Sequence, residues 1–160
     1  MYHLTEAYLM AGFICLVAAY VGALVFAAGT VAPLVVQKLD EEAAAAILRP
    51  FWVRYHRFAV IGALAFSLTI SAASFVSAVP LVYSTGLVAC ASAMTLCFYI
   101  GMRLINAINA ARDEGNMDRF NALHRTDVML VGIGLLLGIT LICGLVYVLP
   151  GQFTFWPTDG

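Results

Sequence analysis

Two histidines, His56 and His124, are the side chains of this sequence whose type and setting most suggest chemistry. Each is followed directly by an arginine, Arg57 or Arg125, at the edge of a long uncharged stretch. An imidazole in such a place can carry a proton or ligate a metal or a haem iron. Alternatively, each histidine lies at a membrane surface and bonds a nearby carbonyl or carboxylate, while its arginine reaches the lipid headgroups. The residues alone leave both interpretations open.

A carboxylate accompanies the second histidine. Asp127 follows His124 by three residues, so the two side chains share a face if this stretch is helical. The carboxylate would then fix the tautomer of the imidazole or favour its charged form. Asp127 is equally well placed to cap the start of the next helix, where acidic side chains are favoured. Both roles for Asp127 remain open.

Soft donor atoms recur at helical spacing in one apolar stretch, at Cys90, Met94 and Cys97. Thiolate and thioether sulfurs suit Cu(I), so a copper path is chemically possible. No matching pairs of Met or Cys are evident at helical spacing elsewhere, and both residue types are ordinary in membrane cores. The pattern therefore favours packing over a metal site.

Small residues repeat along another stretch and include Ser67 and Ser71. Small residues every four positions let helices approach closely in lipid. The alternative is a polar groove lined by these two serines. Pro33, in the first apolar stretch, completes this set of candidate pocket residues.

The chain that positions these residues is unusually apolar. It is 63% hydrophobic and 11% charged, against about a quarter charged in globular domains. About 20 apolar residues in a helix span a bilayer. We therefore predict four transmembrane helices, over residues 8–36, 58–79, 80–102 and 128–149. A tight turn at Val79-Pro80 joins the second helix to the third. The expected fold is an all-α four-helix bundle in a single domain. The first span is longer than one crossing needs and must tilt, kink near Pro33 or project.

All eight basic residues lie in the connecting segments 37–57 and 103–127. The positive-inside bias predicts that both segments are cytoplasmic and both termini lie outside, in a plasma membrane such as the bacterial inner membrane. Asp40, before an alanine run, predicts a helix start, and Gly115-Asn116 predicts a break between helices. No basic patch with interleaved aromatics is present, so nucleic-acid binding is not expected.

The two halves of the chain resemble each other, which suggests a 2+2 pseudo-repeat. Phe51 precedes His56-Arg57, and Phe120 precedes His124-Arg125, with a spacing that differs by one residue. Because each half runs in the same direction, a symmetry axis would lie along the membrane normal. A chain this short encloses little volume, so we expect a homo-oligomer or a membrane partner in addition to lipid.

The first-span pattern GALVFAAGTVAPLVVQKL and the later RFNALHRTDVMLVGIGLLLG resemble the DUF4149/TMEM205-like family. Gly22, Phe26, Val31 and Pro33 match the first pattern, and Phe120, Leu123 and His124 match the second. Asp127 and Val131 stand where that family often has Ser and Asn. The resemblance implies a four-span membrane fold, while the role of the family is obscure.

A wider similarity extends to CopD-like and HemJ-like four-span proteins, the latter linked to porphyrin oxidation. It implies, as an alternative, a haem- or porphyrin-linked membrane oxidoreductase that uses His56 and His124. HemJ-like proteins carry histidines within their spans, whereas this chain has none between Arg57 and Arg103. We therefore expect a non-enzymatic protein that handles a small solute or a metal, or that acts in membrane assembly.

Overall fold

The computed structural model describes the backbone of residues 2–75 and 80–151 and the side chains of residues 8–75 and 80–148. Its elements are α1 (Tyr2–Phe26), a π-helical turn (Ala27–Val31), α2 (Ala32–Lys38), α3 (Glu41–Ser74), α4 (Leu81–Asp113) and α5 (Met117–Gly151). Within these ranges there is no strand.

Four helical stretches are long and apolar enough to cross a membrane: Tyr8–Lys38, Glu41–Ser74, Leu81–Asp113 and Met117–Val148. The predicted all-α bundle of four spans is confirmed, and the chain is a multi-pass membrane protein. The helices run on without a break through the predicted span edges at 57/58, 102/103 and 127/128. The predicted turn at Val79-Pro80 lies mostly outside the described residues.

Local signals in the sequence determine where two of the helices begin or end. The Asp40 side chain accepts a hydrogen bond from the backbone N–H of Ala43 at 2.9 Å and so caps α3. After α4, Gly115 has a φ of 66°, a left-handed conformation that favours glycine. The predicted helix start at Asp40 and break at Gly115-Asn116 are both confirmed.

The first span is disturbed just before Pro33. Proline has no backbone N–H, and in a regular α-helix its ring crowds the carbonyl four residues earlier, here that of Gly29. The helix widens into a π-helical turn over Ala27–Val31 and becomes α-helical again from Ala32. The irregularity predicted near Pro33 takes this form.

The helices pack in chain order around one core. α4 contacts both α3 and α5, and α1 closes the bundle against α5 and α3. Because the connections after α2 and α4 are short, the helices that they join are antiparallel. Fully buried side chains form the centre of the core: Val17, Ala59, Ala63, Ala91, Met94, Phe98 and Leu141.

Glycines allow the close approach of helices that lipid-embedded bundles need. A Cβ on Gly134 would lie 2.8 Å from the ring of Phe98, and one on Gly138 would lie 2.8 Å from Val21. On α3, Gly62 makes room for the ring of Tyr20, whose hydroxyl donates to the carbonyl of Ala59.

Exposed arginines and tyrosines mark two levels along the bundle. At about 1.5 Å per residue, Tyr83 and Arg103 of α4 are about 30 Å apart, and Arg125 and Tyr147 of α5 are about 33 Å apart. The rings of Tyr83 and Tyr147 are neighbours, with centroids 5.8 Å apart. These separations match the roughly 30 Å thickness of a hydrocarbon core, which tyrosines often border.

The helices continue beyond the level of Arg103 and Arg125, here called the arginine level, towards the connections after α2 and α4. Ion pairs join them there: Arg49 binds Asp113 through two hydrogen bonds, one of 3.2 Å, and Arg112 binds Glu41 at 2.8 Å. Both pairs link α3 to α4. All four side chains are partly or largely exposed, from 30% to 87%.

Candidate functional site

The arrangement most able to do chemistry is a pair of buried side chains on different helices, His56 of α3 and Asp127 of α5. Their Nε2 and Oδ1 atoms are 3.2 Å apart, and the two side chains are 0% and 7% exposed. Among the described side chains, Asp127 is the one acidic group that is buried. A carboxylate inside a membrane bundle is costly, and such residues typically mark functional sites.

The third helix at the site, α4, has a glycine where it passes the pair. A Cβ on Gly101 of α4 would lie 2.7 Å from Cε1 of His56 and 2.8 Å from Oδ1 of Asp127. The backbone of α4 therefore lies directly against both members of the pair. Any larger residue at this position would force the pair to move.

Two aromatic side chains of α3 lie beside the imidazole. The ring of Tyr55 meets that of His56 edge to face, with centroids 5.4 Å apart, and Trp52 lies at 6.3 Å. Trp52 and Tyr55 are themselves in edge contact at 5.2 Å. These rings keep the pair in an apolar environment, where interactions between charged groups are stronger than in water.

The polar atoms of this cluster lack hydrogen bonds to other protein atoms. They are the Tyr55 hydroxyl, both ring nitrogens of His56 and Oδ1 of Asp127. The 3.2 Å contact between Nε2 of His56 and Oδ1 of Asp127 is thus a close approach in which the ring N–H does not point at the oxygen. A buried polar group left without a partner costs about 1–3 kcal/mol, so each such group requires an explanation.

His124 lies in a different environment from His56. It is exposed on α5 and stacked on Phe120, with ring centroids 5.6 Å apart. The guanidinium carbon of Arg112 lies over the Phe120 ring, 5.8 Å from its centroid. Arg57 and Arg125 are exposed as well. One imidazole is inside the bundle and the other on its surface, so the structure does not bring them together as two ligands of one haem.

Both sequence-based interpretations of Asp127 need correction. Its partner is His56 on another helix rather than His124 on its own helix. The capping role is wrong because α5 begins at Met117, which places Asp127 well inside the helix. Sequence reasoning also missed Gly101 and Tyr55. The only available signal was that His56 directly precedes one arginine and Asp127 lies two residues after another.

The candidate pocket residues lie apart from one another. Ser67 is hydrogen-bonded to Ser92 of α4 at 3.1 Å, and Ser71 donates to the carbonyl of Ser67 at 2.7 Å. The first bond joins α3 to α4, and the second lies within α3. Pro33 is exposed on α2 near the connection to α3, whereas Ser67 lies about 39 Å along α3 from that connection at about 1.5 Å per residue.

Two of the three sulfur-bearing residues, Cys90 and Met94, lie between α4 and α5. The Cys90 thiol donates to the carbonyl of Leu137 at 3.2 Å, and Met94 is fully buried beside Gly138. Cys97 is half-buried. Across the residues that the structure describes, no three side chains of the types His, Cys, Asp and Glu come together.

Comparison with family models, curated proteins and solved structures finds no match for this chain.

Proposed function

We propose that this multi-pass membrane protein handles a small solute at the pair formed by His56 and Asp127. The observation that carries the proposal is the burial of an imidazole and a carboxylate, 3.2 Å apart, whose facing atoms have no hydrogen bonds. A pair that served only to stabilise the fold would gain most from aligned hydrogen bonds. Groups that must also bind a solute gain from being left free.

The surroundings of the pair support a binding role. Gly101 brings the α4 backbone against it, so three helices meet at one point. Ligand sites of helical bundles are commonly built in this way, from side chains of facing helices. The rings of Trp52 and Tyr55 border the site and lower the local dielectric, which strengthens each electrostatic contact that a bound solute makes with the pair.

The position of the pair along the bundle suggests that a solute enters from the cytoplasmic side. His56 and Asp127 lie within two residues of Arg57 and Arg125, which mark one edge of the apolar band. By the positive-inside bias this edge is cytoplasmic and both termini are outside, in a plasma membrane such as the bacterial inner membrane. Reporter fusions at either terminus test the orientation, and a cytoplasmic terminus would contradict it.

Membership of the DUF4149/TMEM205-like family remains a proposal that is supported by Gly22, Pro33 and the RFNALH stretch. Assembly into a homo-oligomer, or with a membrane partner, is proposed because one short bundle encloses little volume. Light scattering of the protein in detergent, corrected for bound detergent, measures the number of chains per particle, and a monomer without partners would contradict assembly.

The binding role is tested by thermal unfolding of the purified protein in detergent. The solutes are a panel of alkali, alkaline-earth and divalent transition-metal chlorides with ammonium and guanidinium chloride. A ligand at about 100 times its Kd stabilises the folded state by about 2.7 kcal/mol. We expect at least one solute to raise the Tm of the unmodified protein and of His124→Gln, but not of Asp127→Asn.

His124→Gln is the matched control because it removes an exposed imidazole from the same helix. If no solute stabilises the protein, or if Asp127→Asn responds as the unmodified protein does, the proposed binding role is wrong.

A further inference from the structure

We propose that the site binds one divalent transition-metal ion, held between Nε2 of His56 and Oδ1 of Asp127. The proposal rests on the proposed function, because it names the class of solute that the pair takes. It differs from the sulfur stripe on α4, since its donors are nitrogen and oxygen. Imidazole and carboxylate suit borderline ions such as Zn²⁺ and Co²⁺ better than Cu(I).

The spacing of the two donor atoms fits a shared metal ion. Zinc lies about 2.0–2.1 Å from a histidine nitrogen and about 2.0–2.2 Å from a carboxylate oxygen, so two tetrahedral ligands are about 3.3–3.5 Å apart. The observed separation is 3.2 Å. A hydrogen bond between the same groups would be about 2.7–3.2 Å long, and about 2.7–2.9 Å if both groups were charged. The ring N–H is also not directed at the oxygen, as a hydrogen bond would require.

The remaining polar group of the cluster is the Tyr55 hydroxyl. It is buried without a hydrogen-bond partner, and the Tyr55 ring meets that of His56 edge to face with centroids 5.4 Å apart. Second-shell hydroxyl groups orient metal ligands and metal-bound water by hydrogen bonding. We assign this role to Tyr55, which leaves the direct ligands as one nitrogen and one oxygen.

A site with so few protein ligands is suited to exchange. Structural zinc sites have four protein ligands, whereas sites that act on a substrate keep positions open. In the described part of the chain no third His, Cys, Asp or Glu joins the pair. The ion would therefore be held by fewer protein ligands than a structural ion and would be released more readily.

Co²⁺ is the probe, because its visible absorption reports the type of ligand and the number of bound ions. The protein is purified in detergent without metal and titrated with CoCl₂, and binding is also measured by calorimetry. We expect one Co²⁺ per chain in the unmodified protein and in the controls His124→Gln and Cys90→Ser. In His56→Gln and Asp127→Asn the affinity should fall by more than the roughly 10–100-fold that loss of a second-shell partner causes.

A second pair of variants separates loss of Co²⁺ binding from loss of the fold. Gly101→Ala keeps both ligands but places a methyl group 2.8 Å from Oδ1 of Asp127, so it should weaken Co²⁺ binding. Gly86→Ala, on the same helix with no atom within 4 Å, should not. Circular dichroism and gel filtration identify the variants that remain folded.

The metal proposal is overturned if the unmodified protein binds no Co²⁺, or if folded Asp127→Asn binds it equally well. It is also overturned if Cys90→Ser abolishes binding. Should a different solute of the panel stabilise the protein in a manner that depends on Asp127, the proposed binding role stands and only the metal assignment fails.

Discussion

His56 of α3 and Asp127 of α5 contact each other across the bundle, with the backbone of Gly101 of α4 lying against both side chains. The two residues belong to helices that are not neighbours in the chain. Their contact is possible only because α4, which packs against both helices, has no side chain at this position. The site therefore depends on three helices at once, and substitutions in any of them should affect it.

Removal of one member of the pair should destabilise the protein more than removal of both. Breaking a buried pair costs about 3–5 kcal/mol because one group is left without its partner, whereas replacing both groups by apolar ones is often neutral. We expect Asp127→Leu to lower the free energy of unfolding by about 3 kcal/mol, and His56→Leu combined with Asp127→Leu to recover much of this loss. Equilibrium unfolding in mixed micelles measures both, and additive effects would contradict the contact.

Gly101→Ala should destabilise the bundle. The added methyl group meets His56 and Asp127 at under 3 Å, and overpacking of this kind typically costs about 1–3 kcal/mol. The control Gly86→Ala adds the same methyl group in open space on α4. Because alanine favours a helix over glycine by about 1 kcal/mol, this control should be neutral or stabilising by the same unfolding measurement. Equal effects of the two substitutions would argue against a close approach at Gly101.

Gly62→Ala should separate α1 from α3. A Cβ there would overlap the ring of Tyr20, which is held by its hydrogen bond to the carbonyl of Ala59. Tyr20→Phe removes the hydrogen bond but keeps the ring, and should cost about 1 kcal/mol. Gly62→Ala should cost more than this, while Gly22→Ala, in open space on α1, should not. Thermal unfolding of the three variants in detergent tests the order.

The ion pairs beyond the arginine level should contribute little. Arg49 and Asp113 are 39% and 57% exposed, and pairs of this kind are typically worth less than about 1 kcal/mol and weaken with salt. We expect Arg49→Ala to change the free energy of unfolding by less than this amount, with the difference shrinking at high ionic strength. A large effect that is independent of salt would mean that Arg49 has another role.

Purified protein should show no Soret band, because His56 and His124 lie in separate environments, one inside the bundle and one on its surface. An absorbance spectrum of protein expressed with added haem precursor checks this. A Soret band that disappears in both His56→Ala and His124→Ala would contradict the prediction and support the oxidoreductase alternative.

The sequence by itself determined the features that depend on neighbouring residues and on lipid as solvent. Uncharged stretches of about 20 residues predict membrane-spanning helices, because a helix satisfies all of its backbone hydrogen bonds within one segment. The start of α3 at Asp40 and the break at Gly115 follow from capping and from backbone freedom. Each of these features is encoded in one continuous stretch of the chain.

Only the tertiary structure decided which polar side chains meet. Sequence reasoning paired Asp127 with His124 because spacing along one helix is visible in the sequence, whereas Asp127 in fact contacts His56. The rotation of each helix about its axis and its height in the bundle determine such contacts. They result from packing of the whole bundle, including the positions where Gly101, Gly134 and Gly138 allow helices to approach. No local pattern encodes that rotation, so the site became apparent only once the helices were assembled.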